Sequence, residues 1–364
     1  MSSSSTIFSG SYRSGDVSFL LKPLELAHFV DIEHKELLIQ SGQRHYSEML
    51  SPESLPSERY LTMFQQACDA NFERMARDCL ALASLIAQRR SGPVTLVSLV
   101  RAGTPIGVVL KHLLENPLGR EATHYSVSII RDRGIDQVAL DHILAQGHAP
   151  ESIVFVDGWT GKGVISRELA ATVAQFNERR GTRIDGGLYV LSDLAGTAAC
   201  AASCDDYLIP SSILNATVSG LVSRSILNDQ IGPADFHGCV YYQQFEAHDQ
   251  SQCFADELVE RARAMALPAA APIDKGRAAA LSQAYMHAAM AQHGILDANM
   301  VKPGIGEATR VLLRRSPRLL ILRDPSAPEV AHLALLALEK NIPVAVDSNL
   351  PYHAVSLIRS ALDG

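Results

Sequence analysis

The sequence predicts an α/β protein, with a doubly wound, mostly parallel sheet followed by a second, smaller α/β/α domain. Through the middle of the chain, short apolar strands alternate with amphipathic helices, which is typical of a parallel sheet covered on both faces. A stretch rich in Ala and Pro, residues 265–275, then interrupts the alternation as linkers do. A shorter alternation follows over residues 276–364, and it predicts the second domain.

The composition is that of a globular protein with a sizeable core. Of 364 residues, 47% are hydrophobic and 20% are charged. No apolar run approaches a membrane span and the first six residues do not resemble a signal peptide, so we expect a cytoplasmic protein that binds no membrane. The six cysteines include no C-x-x-C pair and should be reduced core residues. A net charge of −7 argues against a broad nucleic-acid-binding surface over the whole chain, but not against a local one.

The first predicted domain spans residues 1–264 and is irregular up to about residue 56. Ser57 can cap a long helix, because an apolar stripe of helical spacing follows it. That helix should end at Arg89-Arg90, where Gly92-Pro93 come next. The strands predicted after it, in an alternation with helices, are residues 94–100, 125–130, 153–156 and 188–191.

Three loops follow the first three of these strands. They are Arg101-Ala102-Gly103, Arg131 to Gly134, and Asp157 to Gly163. Because ligands of open α/β sheets bind outside the carboxyl ends of the strands, we expect the three loops to converge there. A single Arg is usually solvated or structural, but three beside a glycine loop favour an anion site.

The third loop has features of a phosphate site. Its apolar strand stops at Asp157, and glycines at 161 and 163 precede a helix predicted from Val164. The N–H groups and dipole of a helix N-terminus favour an anion, and glycines let the backbone wrap around it. An ordinary strand-to-helix turn is the competing interpretation. A P-loop is rejected, because Lys162 is followed by Gly163 instead of the Ser or Thr that holds Mg²⁺.

The loop from Asp157 to Gly163 resembles the phosphoribosyl-diphosphate (PRPP) loop of type I phosphoribosyltransferases, where two acidic residues precede a Thr/Gly loop for the 5′-phosphate. Gly158 stands at the second acidic position, which leaves Asp157 alone to hold the ribose hydroxyls. Ser98 to Pro105 is similar to the pyrophosphate loop of uracil-type phosphoribosyltransferases. The resemblance implies a type I phosphoribosyltransferase-like sheet and a PRPP site formed by Arg101, Ala102, Gly103, Asp157, Gly158, Trp159, Thr160, Gly161, Lys162 and Gly163.

The same resemblance implies a catalytic set. Arg131 and Arg133 stand at the chain position of that superfamily's flexible catalytic loop. Together with Arg101 and a Mg²⁺ ion, they would stabilise the charge that grows on pyrophosphate as the C1–O bond breaks. Asp157 would position the ribose and meet the Mg²⁺ indirectly, through PRPP.

The segment from Ser211 to Ile226 is rich in hydroxyls, as capped turns are. Taken with Gly10 to Leu24 and Asp235 to Gly238, it resembles the phosphoribosyltransferases of bacterial tellurite-resistance and stress-response gene clusters, once described as the cysteine protease StiP. The resemblance covers essentially the whole chain. It implies transfer of ribose 5-phosphate onto an unidentified base-like acceptor with release of pyrophosphate, and acceptor contacts at Asn215, Ser219 and Arg224.

Residues 276–364 resemble Pelota-type RNA-binding domains, with the likeness carried by Gly304, Gly306, Glu307, Thr309 and Arg310, the strand 319–324, and Asn341 to Val344. This part has nine Lys/Arg and seven Asp/Glu, near +2, so the total of −7 leaves the remainder near −9. The charge asymmetry favours contact with structured RNA. The residues implied are Lys302, Gly304, Gly306, Arg310, Arg314 and Arg315. A solvated basic helix end is the competing interpretation.

Three functions stay open at this point. The leading one is a PRPP-dependent phosphoribosyltransferase fused to an RNA-binding module, and a homodimer is compatible with it. The second is a non-catalytic sensor of PRPP or a nucleotide, which the missing second acidic residue keeps open. The third is a cysteine hydrolase, because Cys239 lies two residues from His237, although no family signature surrounds them.

Overall fold

The computed structural model describes residues 7–25, 29–268, 273–315 and 317–359. The first six residues, on which the expectation about a signal peptide rested, lie outside this part of the chain. So does the middle of the predicted linker, residues 269–272. The helices are α1 (Ile32–Gln40), α2 (Glu58–Arg89), α3 (Gly103–Glu115), α4 (Gln137–Ala145), α5 (Val164–Arg180), α6 (Ser251–Arg263), α7 (Lys275–His293), α8 (Ile305–Arg314) and α9 (Ala331–Glu339).

The strands form two main sheets and two short pairs. They are β1 (Ser18–Leu20), β2 (Lys22–Pro23), β3 (Val94–Leu99), β4 (Ala122–Val127), β5 (Ile129–Ile130), β6 (Gly134–Ile135), β7 (Ile153–Thr160), β8 (Leu188–Asp193), β9 (Cys200–Ser203), β10 (Gly238–Cys239), β11 (Val301–Pro303), β12 (Pro317–Leu322), β13 (Val344–Val346) and β14 (Ala354–Ile358). No helix in the described ranges is long and apolar enough to cross a membrane.

The larger sheet is parallel throughout, in the order β1-β4-β3-β7-β8-β9, and it confirms the predicted fold class. From β3 the chain proceeds to β4 on one side, whereas from β7 it proceeds to β8 on the other. A crevice therefore opens outside the carboxyl ends of β3 and β7, as at the ligand sites of open α/β sheets. Helices α2, α3 and α6 pack on one face, and α4 and α5 on the other.

Three elements differ from the sequence prediction. The N-terminal part is not irregular throughout, because β1 pairs with β4 at the sheet edge, and three residues are too few to show a period. Strand β7 continues beyond Val156 to Thr160, since Asp157, Trp159 and Thr160 still pair with β8. The predicted loop thus begins as strand. The predicted strand 125–130 is divided between β4 and β5, and its loop is the turn of the antiparallel pair β5-β6.

The smaller sheet has the order β11-β14-β12-β13, with only β12 and β13 parallel. Together with α7, α8 and α9 it forms the unit called here the C-terminal domain, and the preceding part is called the N-terminal domain. Strand β12 overlaps the predicted strand 319–324, whereas β11 and β14 were not predicted. Buried residues of α8, including Ile305 and Leu312, belong to the same apolar cluster as the core of the N-terminal domain. The two domains are therefore packed against each other.

Candidate functional site

The loops after β3 and β7 meet at the predicted edge of the sheet. A Cβ atom on Gly103 would lie 2.6 Å from the carbonyl oxygen of Val156 and 3.2 Å from Cα of Asp157, so only glycine permits this approach. Gly163 has a φ of +69° and caps α5, and its N–H donates to the hydroxyl of Thr160 over 3.0 Å. A tight backbone turn thus begins a 17-residue helix beside the crevice.

Asp157 lies between these loops with its charge partly suppressed. Its Oδ1 accepts a hydrogen bond of 2.8 Å from the N–H of Gly158. Burial raises the pKa of the Asp157 carboxyl to about 7, against the opposing effects of that hydrogen bond and of the charge of Arg310. The Asp157 carboxyl is therefore partly protonated near neutral pH.

Arg101 already has a carboxylate partner in the N-terminal domain. Its guanidinium forms an ion pair of 2.5 Å with Glu53 and donates to the carbonyl of Val222 over 3.3 Å. The other oxygen of Glu53 accepts from the N–H of Ala216 over 3.0 Å. Both side chains of the pair are buried for the most part. The structure thus gives Arg101, predicted to hold a diphosphate, a structural role between two segments.

The two arginines of the predicted catalytic loop point to different surroundings. Arg133 forms an ion pair of 2.5 Å with Glu48, so its charge already has a carboxylate partner. Arg131 instead lies over the ring of Tyr46, with 5.7 Å between guanidinium carbon and ring centroid. Its backbone N–H donates to the Tyr46 hydroxyl over 2.7 Å. Arg131 alone of this pair contributes positive charge to the site described below.

The predicted acceptor residues hold neighbouring segments together. The side chain of Asn215 donates to the carbonyl of Ser54 over 2.7 Å and caps a turn at Thr217. Ser219 is buried and donates to the Asn215 carbonyl over 3.2 Å. Arg224 donates to the carbonyls of residues 46 and 49 over 3.0 and 2.5 Å. The competing interpretation of this segment, a capped turn, describes these contacts better than an open binding surface.

The C-terminal domain covers the same edge of the sheet. The start of α8 lies on the Trp159 ring, because a Cβ atom on Gly306 would be 3.1 Å from indole Cε2. The Arg310 guanidinium lies 5.6 Å from the centroid of the same ring. Lys162 donates to the carbonyl of Ala298 over 2.7 Å. These contacts bring the predicted phosphate loop and the predicted RNA-binding turn together.

Asp206, which follows β9, links the two domains by hydrogen bonds. One of its oxygens accepts from the N–H of Ile305 and the other from the N–H of His353, both over 2.8 Å. Burial raises the pKa of Asp206 to about 6, although these backbone N–H groups oppose the shift. One carboxyl thus accepts hydrogen bonds from two separate segments of the C-terminal domain.

Four cations from both domains surround one carboxylate, and this group is called here the Glu307 cluster: Arg131, Lys162, Lys302 and Arg310 around Glu307. Lys302 Nζ is 3.8 Å from Glu307 Oε2, and Arg310 Nη1 is 3.5 Å from Oε1. Burial lowers the pKa of Lys162 to about 7, and the charge of Lys302 adds to the shift. Burial alone would raise the pKa of Glu307, but the surrounding cations lower it. The cluster therefore holds more positive than negative charge where the two domains meet, with Lys302 largely buried and Arg310 partly exposed.

The predicted RNA-binding residues are largely covered in this arrangement. Lys302 is buried, and Gly304 and Gly306 approach the N-terminal domain. Arg314 donates to the carbonyls of Ser212 and Leu214, and burial lowers its pKa to about 9. Arg315 is half-buried. The docked N-terminal domain therefore covers most of this surface, while Arg310 keeps 43% of its side chain exposed, and contact with RNA at these residues stays a prediction.

No described cysteine has a hydrogen bond to an imidazole. Cys239 is buried, and burial raises the pKa of its thiol to about 12. His237, two residues away, has its Nδ1 2.7 Å from the hydroxyl of Ser128 and donates its backbone N–H to Asp136 over 2.6 Å. The described part of the chain also contains no group of three or more His, Cys, Asp or Glu side chains that could hold a metal ion. Mg²⁺ carried by a phosphorylated ligand therefore stays a prediction.

Residues 10–259 match the family model described as Tellurite-like stress resistance cysteine protease StiP. The chain belongs to this family. A curated member of the StiP family, the Cysteine protease StiP of Acinetobacter baylyi, is 42% identical over 368 residues, which cover 97% of this chain and 94% of that protein. Residues 280–360 match the model of the Pelota RNA binding domain. Both families were expected from the sequence.

Solved structures similar to this chain include two phosphoribosyltransferases. The xanthine-guanine-hypoxanthine enzyme of Helicobacter pylori is 19% identical and covers 35% of this chain and 78% of its own, with a TM-score of 0.26. The hypoxanthine enzyme of Trypanosoma cruzi is 13% identical and covers 36% and 68%, with a TM-score of 0.27. Similarity with TM-scores this low does not bear on the fold described above.

The prediction of a PRPP-dependent phosphoribosyltransferase is therefore wrong. The family description and the relative at 42% identity both name a cysteine protease.

Three important residues were missed from the sequence: Glu53, Asp206 and the central role of Glu307. Asp206 offered a signal, because Asp205 and Asp206 follow a strand at the same carboxyl edge as Asp157. Glu53 offered none, since it lies in a segment without periodicity. Glu307 was named only as part of the Pelota resemblance, because the position of the second domain was not known.

Proposed function

We propose that the protein binds a phosphorylated small molecule, such as a nucleotide or PRPP, at the crevice outside β3 and β7, and acts as a sensor of that ligand. The observation that carries the proposal is the Glu307 cluster, in which four basic side chains share one carboxylate at the partly buried junction of the two domains. Buried charges in proteins are normally paired, because an unpaired charge loses several kcal/mol of hydration. A phosphoryl group would supply the missing negative charge.

The backbone beside the cluster supports the same ligand class. Lys162 lies in the glycine turn that starts α5, so a lysine stands next to the N-terminus of a helix. This combination favours a phosphate at a helix N-terminus. The pKa of Lys162 is lowered by burial first and by the nearby charge of Lys302 second, and perturbed groups of this kind are frequent at functional sites. Mg²⁺ would accompany a diphosphate or triphosphate as its counterion.

Titration calorimetry of the full chain with PRPP, ATP and pyrophosphate, with and without Mg²⁺, tests the proposal. Lys162→Gln removes one charge-assisted contact, worth about 1.5–3 kcal/mol, so affinity should fall roughly 10- to 100-fold. Lys111→Gln is the matched control, because Lys111 pairs with Glu115 on the surface of α3. If none of the three ligands binds, or if both variants bind as the wild type does, the proposal is wrong.

RNA is the partner that the Pelota match supports for the C-terminal domain. We place its contacts on the predicted residues from Lys302 to Arg315, most of which the docked N-terminal domain covers. RNA binding would then require the docked contacts to open, and ligand and RNA would favour different arrangements. A gel-shift titration of structured RNA against the full chain, with and without the bound small molecule, tests whether the small molecule weakens RNA binding.

A cysteine hydrolase is the second candidate function, and the family description favours it. Cys204 is the thiol best placed for it, because it is half-buried and lines a cavity of about 660 Å³ together with His353, Asp205 and Arg74. Burial raises the pKa of this thiol to about 11, whereas a nucleophilic cysteine needs a lowered pKa. Hydrolysis would therefore need His353 to move toward Cys204.

Peptidase activity on a denatured protein substrate, with iodoacetamide labelling of each cysteine, tests this candidate. Loss of activity in Cys204→Ala but not in Cys253→Ala, an exposed control, would support it. Equal activity in both variants would remove Cys204 as the nucleophile.

A further inference from the structure

Glu307 belongs to the C-terminal domain but meets the phosphate loop of the N-terminal domain. A Cβ atom on Gly161 would lie 3.5 Å from Glu307 Cγ. Of the cations around it, Arg131 and Lys162 come from the N-terminal domain, whereas Lys302 and Arg310 come from the C-terminal domain. The carboxylate is therefore the centre of a site that neither domain forms alone.

The distances in the cluster are long for ion pairs with a carboxylate. Lys302 and Arg310 approach Glu307 to 3.8 and 3.5 Å, whereas charge-assisted hydrogen bonds of this type are about 2.7–2.9 Å long. The cations thus enclose the carboxylate without close hydrogen bonds to it. A tetrahedral phosphoryl group has more acceptor oxygens, and it can reach several of these donors at once.

The charge balance points the same way. Arg131, Lys302 and Arg310 face one carboxylate, while Lys162 and the nearby Asp157 each carry only part of a charge at neutral pH, because burial brings both pKa values to about 7. A phosphoryl group carries up to two negative charges near pH 7. Replacing the carboxylate by such a group would bring the cluster closer to neutrality.

We infer that the Glu307 side chain occupies the place of a ligand phosphoryl group, and that Lys302 and Arg310 complete the phosphate site from the C-terminal domain. This inference rests on the proposed function. The ligand displaces the Glu307 carboxylate and binds cations of both domains. It therefore holds the domains together and keeps the predicted RNA surface covered. The same side chain supports docking in the absence of ligand and competes with the ligand for its site.

Pyrophosphate is the probe for the decisive experiment on the full chain. Glu307→Gln removes the competing carboxylate and should bind pyrophosphate about 10-fold more tightly than the wild type. Lys302→Gln should weaken binding to a similar degree as Lys162→Gln. Glu339→Gln is the matched control, because it also removes a carboxylate that pairs across the junction, with Arg59, but outside the cluster. Its affinity for pyrophosphate should be unchanged.

The possible failures are distinguishable. If the wild type binds pyrophosphate and Lys162→Gln weakens it, but Lys302→Gln and Glu307→Gln do not change the affinity, the inference is wrong and the proposed function stands. If neither the wild type nor Glu307→Gln binds, the proposed function is wrong, and the inference with it. Should Glu307→Gln not fold, Glu307→Asp withdraws the carboxylate by one methylene group and should also bind more tightly than the wild type.

Hydrogen exchange supplies a second readout that does not depend on the variants. The N–H of Ile305 donates across the junction to Asp206, so its exchange reports docking directly. Saturating pyrophosphate should slow exchange at the start of α8 at least several-fold. Unchanged or faster exchange with bound pyrophosphate would overturn the inference that the ligand holds the domains together.

Discussion

Replacing Asp206 by Asn should remove a pH dependence from domain docking. In the docked state burial raises the pKa of the Asp206 carboxyl from its usual 3.8 to about 6, and undocking would expose the carboxyl to water. The docked state therefore binds the proton more tightly than the open state, and docking weakens as the pH rises from about 4 to about 6. At about 1.4 kcal/mol per pKa unit, the loss amounts to roughly 3 kcal/mol. Asn cannot titrate, so the variant should lack this slope.

Hydrogen exchange of the Ile305 and His353 amides between pH 4 and pH 7, corrected for the intrinsic rates, measures the effect. Asn also loses one acceptor, which leaves one buried N–H without a partner and costs about 1–3 kcal/mol. The variant should thus be less protected at pH 4 and similar to the wild type at pH 7. Asp205→Asn is the control, since Asp205 is exposed and pairs with Arg74. The same slope in Asp206→Asn and wild type would refute the reasoning.

Three further substitutions test other parts of the structure. Gly163→Ala should lower the free energy of unfolding by about 1–3 kcal/mol, because its φ is +69° and a Cβ would lie 2.4 Å from Thr197 Oγ1. Gly181→Ala, with a similar φ and open space, should cost about 1 kcal/mol or less in the same urea titration. Arg101→Ala should cost roughly 3–5 kcal/mol because it leaves Glu53 unpaired, whereas Arg13→Ala, at an exposed pair with Asp256, should cost under about 1 kcal/mol. Equal losses for the two arginines would contradict this. Gly306→Val should undock the domains, since a Cβ there already lies 3.1 Å from the Trp159 indole, and small-angle scattering should show a larger radius of gyration.

Local sequence signals accounted for much of the N-terminal domain. The side chain of Ser57 accepts the N–H of Tyr60 over 3.4 Å, as expected of a helix cap, and α2 ends at Arg89. Strands β3, β7 and β8 are almost entirely buried, so their apolar runs were visible in the sequence. Strand β1 was not predictable, because three residues become a strand only through pairing with β4.

The candidate site was predictable only within one domain. The rule that ligands bind at the carboxyl edge of a parallel sheet placed the loops of Arg101 and Asp157 together. It could not show that α8 would lie on them. That arrangement depends on contacts between distant parts of the chain, such as Asp206 with Ile305 and His353, which have no local pattern. The residues predicted for RNA were for this reason assigned to an open surface.

The chain contains a single tryptophan, and Trp159 lies where the two domains meet. Excitation at the red edge of indole absorption therefore reports on this junction alone, without any label and without mutation. Undocking would transfer the ring from the start of α8 and the Arg310 guanidinium into water, and its emission would shift to longer wavelength. The protein thus carries its own optical probe of the closed arrangement, one that can be followed in stopped-flow mixing on the timescale of domain motion.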